Sequence, residues 1–165
     1  MTELDEILDI VDENNNVVGQ ATRGECYQKN LLHRAVNIFI YNSKGQLFMH
    51  KRSDKKIKFP RYWDLSCSEH VQPGESFDEA AKRGLMEELS IEMDLEILIS
   101  LHHVDFAFKD DHDNELVVTF KGIFEGEMKF DPSEVADGKF FNPDNLPTPV
   151  TPWFLHDWKM IKKDE

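Results

Sequence analysis

Two adjacent glutamates, Glu87 and Glu88, lie in a stretch that reads as a helix, Ser76 to Ile91. With Leu85 at the centre of its apolar stripe, a turn of about 100° per residue puts Ala81 and Leu89 within about 40° of it. The same turn puts Glu88 about 60° to one side, with Gly84 beside it and Ala80 and Glu87 just beyond. A carboxylate at the margin of a core is costly unless something pairs with it. Small neighbours on that side let a shallow groove open. Carboxylates on its wall offer oxygen ligands to Mg²⁺ or Mn²⁺, which complete their shells with water and substrate phosphate. Taken alone, the pair also suits an ordinary solvated helix face. Arg83 stands four residues from both Glu79 and Glu87 and can pair with either. Gly84 in mid-helix costs about 1 kcal/mol against alanine, so its presence asks for a close approach by a backbone or a ligand.

The charge balance narrows the partners. The chain of 165 residues has 32 acidic against 19 basic residues, a net charge of −13. Such a field repels nucleic acid and anionic membranes, so neither is expected as a general partner. It also repels an anionic substrate, so a phosphate site here needs local cations or a metal. The basic cluster Lys51 to Lys58, with Arg52 and Lys56, reads as the phosphate entrance. Cys26 and Cys67 are too few for a disulfide framework. Met1 to Ile10 is acidic and lacks the parts of a signal peptide, and no apolar run approaches membrane length. The expectation is a soluble, cytoplasmic protein; no sequence feature specifies oligomeric state.

These residues must be positioned by a run of mostly β elements. Ile7 to Val11, Asn14-Asn15-Asn16 and Val17-Val18-Gly19 read as strand, turn and strand. A polar stretch, Arg23 to Asn30, leads to Leu31-Leu32-His33. Ala35 to Tyr41 is a dense β run; Asn42 to Gly45 supplies a turn and Gln46 to His50 returns, the clearest hairpin of the chain. Arg61 to Ser66 is a shorter β stretch. Ser76 with Glu79 forms a possible capping box after Pro73-Gly74, and Phe77, Ala81, Leu85 and Leu89 make the helix stripe. Leu95 to Phe108 and Glu115 to Phe124 follow as strands around an acidic turn, with His102 and His103 read as strand or surface residues. Lys139 to Phe141 is a short strand, and a helix starts at Pro152 and runs to about Lys162. The order predicts one α+β domain over 1–165, built on a mixed sheet.

The segment Glu69 to Ile91, EHVQPGESFDEAAKRGLMEELSI, resembles the Nudix box, G-x5-E-x7-R-E-U-x-E-E-x-G-U with U apolar. Glu75, Arg83, Leu85, Glu87, Glu88 and Ile91 match; Glu69, Gly84 and Ser90 depart. The resemblance implies a Nudix fold: an α/β/α sandwich with a mixed sheet, one central box helix and a C-terminal helix. It implies that Glu87 and Glu88 bind the metal, that Arg83 orients them and that Glu75 acts through Arg83. Gly84 stands where many family hydrolases carry a glutamate that serves as metal ligand or general base. The base must then come from elsewhere, with Glu69, Glu115 and Glu75 as candidates, or the chemistry differs.

A narrower resemblance spans about Leu4 to Trp158. The pattern LLHRA…GQLFMHKRS…FPRYWDLSCSEH…GES is similar to the type I isopentenyl-diphosphate isomerase branch of the superfamily. That implies a metal held by His33, His70 and an acidic pair around Glu115, diphosphate contacts from Arg52 and Lys56, and Trp153 near the active site. A planar guanidinium fork suits phosphate oxygens. Two positions depart from this branch. A further histidine ligand aligns near Cys26 or Tyr27, and the catalytic cysteine aligns with Ser68, one residue after Cys67. A slip of one residue in a strand turns the side chain to the opposite face, and serine is a poor acid for protonating a carbon–carbon double bond. Three functions follow from these readings. The leading one is a metal-dependent hydrolase of an organic or nucleoside diphosphate. The alternatives are an isopentenyl-diphosphate isomerase and a non-catalytic diphosphate-binding module.

Overall fold

A computed structural model describes residues 2–165; Met1, the first residue of the acidic N-terminal stretch, lies outside the described residues. Nine strands and three α-helices follow a short 3-10 turn, Glu3–Asp5. β1 (Ile7–Val11) and β2 (Val17–Thr22) form a two-stranded antiparallel sheet. The other strands are β3 (His33–Tyr41), β4 (Leu47–Arg52), β5 (Trp63–Asp64), β6 (Cys67–His70), β7 (Glu96–Ala107), β8 (His112–Ile123) and β9 (Val135–Phe141). They form one mixed sheet in the order β5-β4-β3-β8-β7, with β6 added to β3 and β9 to β4.

The central strand β3 is buried on both faces, and its alternating side chains feed two cores. Val36, Ile38 and Ile40 pack with Ala80, Ala81, Leu85 and Leu89 of α2 (Phe77–Leu89). Phe39 packs on the other side with Met49, Leu65 and Phe154, the last from α3 (Pro152–Lys163). Helix, sheet and helix therefore stack as the expected α+β sandwich. Among the described residues no helix is long and apolar enough to cross a membrane.

The helix ends follow their capping chemistry. The Ser76 hydroxyl accepts from the Glu79 amide and the Glu79 carboxylate from the Ser76 amide, each at 3.1 Å. Glu79 is thus committed to the cap, and Arg83 pairs with Glu87 and not with Glu79. Ser90 ends α2 in the left-handed region, φ 57°, where a side chain costs about 1 kcal/mol.

Two expectations from the sequence need correction. The polar stretch after Thr22 is a helix, α1 (Arg23–Lys29), started by a Thr22/Glu25 capping box and ended by left-handed Asn30. It has no apolar stripe, and Cys26 is its one buried residue. The apparent hairpin also splays: β3 and β4 pair only at Tyr41 and Leu47. One edge of β3 is taken along its whole length by parallel β8. The other is shared between that single β4 pair and four residues of β6, Cys67–His70. Where β4 and β6 part, a cavity of about 570 Å³ opens.

Candidate functional site

The ends of β3, β6 and β8 bring four potential ligands together: His70, Asp113 and Glu115 line this cavity, and fully buried His33 lies against them. The parallel register sets His33 opposite Glu115, and antiparallel β6 sets His70 opposite Ala35. Asp113 is two residues before Glu115 and so shares its face. One ligand atom from each of His33, His70, Asp113 and Glu115 lies within 4.8 Å of all the others, and all four residues are buried. His33 Nε2 is 3.4 Å from Glu115 and 3.6 Å from Asp113; His70 Nε2 is 3.2 Å from Glu115. His33 Nδ1 donates to the Leu31 carbonyl at 2.9 Å, which turns Nε2 toward the acids. That Nε2 and Asp113 Oδ1 are buried without hydrogen-bond partners. Buried polar atoms left unpaired are costly, and here they converge.

The charges of this group depend on one another. Burial disfavours the His33 cation, but Asp113, Cys26 and Glu115 outweigh it and hold its pKa well above the ordinary value. Burial alone would raise Glu115, yet His33 and His70 hold it well below the usual carboxylate range. Trp153 supports the cluster from behind, its indole N–H donating to Asp113 Oδ2 at 2.9 Å.

A second group lies on the opposite face of β6, against α2. Cys67 and Glu69 face the helix at Gly84. A Cβ at Gly84 would meet Glu69 Cβ at 3.1 Å and Cγ at 3.3 Å, so the strand packs tightly against the glycine. Arg83 is the hub. It binds Glu75 with two hydrogen bonds, 2.7 and 3.0 Å, donates to the His70 carbonyl at 2.8 Å and reaches Glu87 at 3.2 Å and Glu69 at 3.6 Å. Burial would raise Glu75, but Arg83 and the Gln72 amide lower it. Glu69 is raised, chiefly by burial. The fully buried Cys67 thiol donates to Glu88 Oε2 at 2.6 Å, and burial with the nearby Glu69 charge pushes Glu88 up to about 8. Glu87 is exposed. Among the described residues, Glu87 and Glu88 join no cluster of three closely spaced potential ligands.

The basic residues at the mouth are already paired. Arg52 contacts Asp64 at 3.3 Å and lies over the Trp153 ring at 5.2 Å. Lys56 holds Glu3 at 3.2 Å and also Glu134. Two more stand with them: Arg23, which sequence reasoning passed over, and Lys58, the end of the expected basic cluster. Arg23 donates to the Tyr27 hydroxyl at 2.6 Å, and Lys58 sits 4.4 Å from the rings of both Tyr27 and Phe108. All four basic side chains line the cavity. The signal for Arg23 was Thr22 followed three residues later by Glu25: a helix started there puts residues 23 and 27 on one face.

The NUDIX domain model matches residues 31–163. The chain belongs to the Nudix family. It is 33% identical over 158 residues to isopentenyl-diphosphate Delta-isomerase 2 of Photorhabdus laumondii, covering 92% of this chain and 89% of that one. An uncharacterized Nudix hydrolase of Listeria monocytogenes is 32% identical over 139 residues, 84% of this chain and 80% of that one. Another from Streptomyces coelicolor is 47% identical over 89 residues, a match that spans only 49% of that protein. Among solved structures, one from Deinococcus radiodurans superposes with a TM-score of 0.67 at 28% identity, covering 84% of this chain and 85% of that one. A MutT Nudix hydrolase from Burkholderia pseudomallei has the same TM-score at 20% identity, covering 79% and 98%.

Within the Nudix box two of the three departures, Glu69 and Gly84, now read as one. The pattern has its glycine on the loop and its glutamate on the helix. Here the carboxylate comes from β6, and the glycine sits on the helix beneath it. Glu88 offers a direct check of this crowded margin in the metal-free protein. Its folded pKa lies above its unfolded value, so its contribution to stability is complete below the unfolded pKa, near 4.5, and is lost as pH rises through about 8. Chemical denaturation across that window should show metal-free wild type losing stability relative to Glu88→Gln. Parallel pH curves would contradict the shift.

Proposed function

We propose that this Nudix protein is a hydrolase that cleaves an organic or nucleoside diphosphate with the help of Mg²⁺ or Mn²⁺. The arrangement of β6 carries the reading. Ser68 faces the sheet's cavity side, hydrogen-bonded to Asn37 at 3.2 Å. Cys67 points the other way into α2 and is absent from the cavity lining, while Glu69 is part of that lining. A thiol acid for double-bond protonation is therefore missing, and a carboxylate with a raised pKa is present.

The residues divide the work as follows. His33, His70, Asp113 and Glu115 fit a divalent cation, as their converging unpaired atoms indicate. Two imidazoles with two carboxylates suit Mn²⁺ better than Mg²⁺. Glu88, with Glu87 and Glu69 nearby, offers only oxygen and suits Mg²⁺ arriving with the substrate. A bound cation would neutralise phosphate charge and orient the diphosphate. Arg52, Lys56, Arg23 and Lys58 can exchange their present partners for phosphate oxygens. Trp153 fixes Asp113 and supports Arg52. Glu69 takes a proton from the attacking water as the phosphorus–oxygen bridge breaks. Glu75 and Glu115 are poorer bases, since Arg83 and the two histidines hold them in the ionised form. Both cysteines are free, as suits a reducing compartment such as the cytoplasm.

Incubation with a panel of nucleoside and organic diphosphates, plus Mg²⁺ or Mn²⁺, tests this. Phosphate or monophosphate release from at least one member is expected, with release reduced in Glu88→Gln. Binding without turnover across the panel would assign the chain to the non-catalytic class instead. The isomerase reading is favoured by the 33% identity over most of the chain. It requires deuterium from solvent to enter isopentenyl diphosphate, and Ser68 predicts that none does.

A further inference from the structure

At the cavity's edge, where His156 and Asp157 are part of its lining, β7 and α3 bring together His102, His156 and Asp157, a group with no part in the reaction above. Asp157 is almost completely buried. Its Oδ2 accepts from Asn37 at 2.9 Å and from Thr119 at 2.7 Å. Its Oδ1 is then left to two imidazoles, His156 Nδ1 at 3.0 Å and His102 Nε2 at 3.6 Å. The two rings lie nearly parallel, 8° apart with centroids at 5.8 Å. His102 Nδ1 donates to the Ser100 carbonyl at 2.9 Å, which presents Nε2 inward; that Nε2 is buried and has no hydrogen-bond partner. His102 therefore faces α3, while His103 is the exposed member of the pair expected at the strand surface.

We propose that His102, His156 and Asp157 form a second divalent-metal site, of the Zn²⁺ class, that staples α3 to β7. One ligand atom from each lies within 4.8 Å of the others. Ligands bound to zinc at about 2.0–2.1 Å in tetrahedral geometry stand roughly 3.3 Å apart, and the two Asp157 distances bracket that value. Two imidazoles and one carboxylate are a donor set that zinc accepts, with a fourth position left for water. Each supporting contact is of the kind that orients a metal ligand: a carbonyl behind His102, an amide and a hydroxyl behind Asp157. None of the three residues belongs to the His33 cluster. Asn37 joins Asp157 to Ser68, so an ion here would also brace the cavity wall.

Equilibrium dialysis against Zn²⁺ alone, with zinc counted by elemental analysis, separates the two sites. Wild type should hold one equivalent more than His102→Ala and one more than His156→Gln. His33→Ala should keep this equivalent while losing the other, so failure of the first cluster is distinguishable from failure of the second. His156 is a third exposed, which makes its replacement safe for folding. Because it removes a ligand itself, its loss should weaken zinc at this site by more than the roughly 10- to 100-fold that losing an outer-shell partner costs. In wild type, the imidazole nitrogen signals of His102 and His156 should shift on zinc titration, a readout that needs no variant. Equal zinc content in wild type, His102→Ala and His156→Gln, with those signals unmoved, would leave only a buried ion pair and overturn the proposal.

Discussion

Glu69→Gln is expected to lower kcat for diphosphate hydrolysis by about 100- to 10,000-fold, the usual contribution of a placed general base. Glutamine keeps the volume and the Cβ and Cγ that pack over Gly84. Thermal stability and KM should therefore change little, and the effect should fall on the chemical step. Burial raises the Glu69 pKa above the ordinary glutamate value, and a base must be deprotonated to act. Wild-type activity should accordingly decline on the acid side at a higher pH than an exposed glutamate would give. That limb should be missing from the residual activity of the variant. Rates within a few-fold of wild type, with the limb unchanged, would move the base to another residue.

Arg83→Met should have the largest effect on stability. The Arg83 side chain is 18% exposed, and its guanidinium serves Glu75, Glu69 and the His70 carbonyl at once. The pair with Glu87, whose side chain is 57% exposed, contributes little. Methionine preserves the aliphatic stem but leaves Glu69 and Glu75 half-buried without their cation. Breaking such a pair from one side costs about 3 kcal/mol, measurable by urea denaturation at pH 7. The loss should shrink at pH 5, where protonation begins to relieve the uncompensated carboxylates. A loss under about 1 kcal/mol would mean that Arg83 is a surface residue after all.

The local features of this protein were legible in its residues. Capping chemistry and a four-residue apolar repeat located α2, and the wheel position of Glu88 anticipated its place at the core margin. Proline at the start of α3 and the alternation along β3 were equally local. The sandwich follows from such patterns because burial on one stripe or on two faces is written into residue order. Helix α1 escaped because seven residues with one buried side chain carry no stripe, although its capping box was present.

What decided the site was pairing between distant segments. The hairpin signal at 42–45 said nothing of β6 displacing β4 along β3, and that exchange opens the cavity. His33 meets Glu115 only through a parallel register between strands with four others between them in the chain. Asp157 meets His102 only because α3 lies over β7. Glu69 and Gly84 looked like two separate lapses from one motif; in the tertiary structure the Cβ and Cγ of Glu69 pack into the space the glycine leaves. Residue order alone says which side chains are able to bind a cation or a diphosphate, since that is a property of side-chain type. Their convergence was settled by long-range strand register and helix packing, for which no local spacing is a signal.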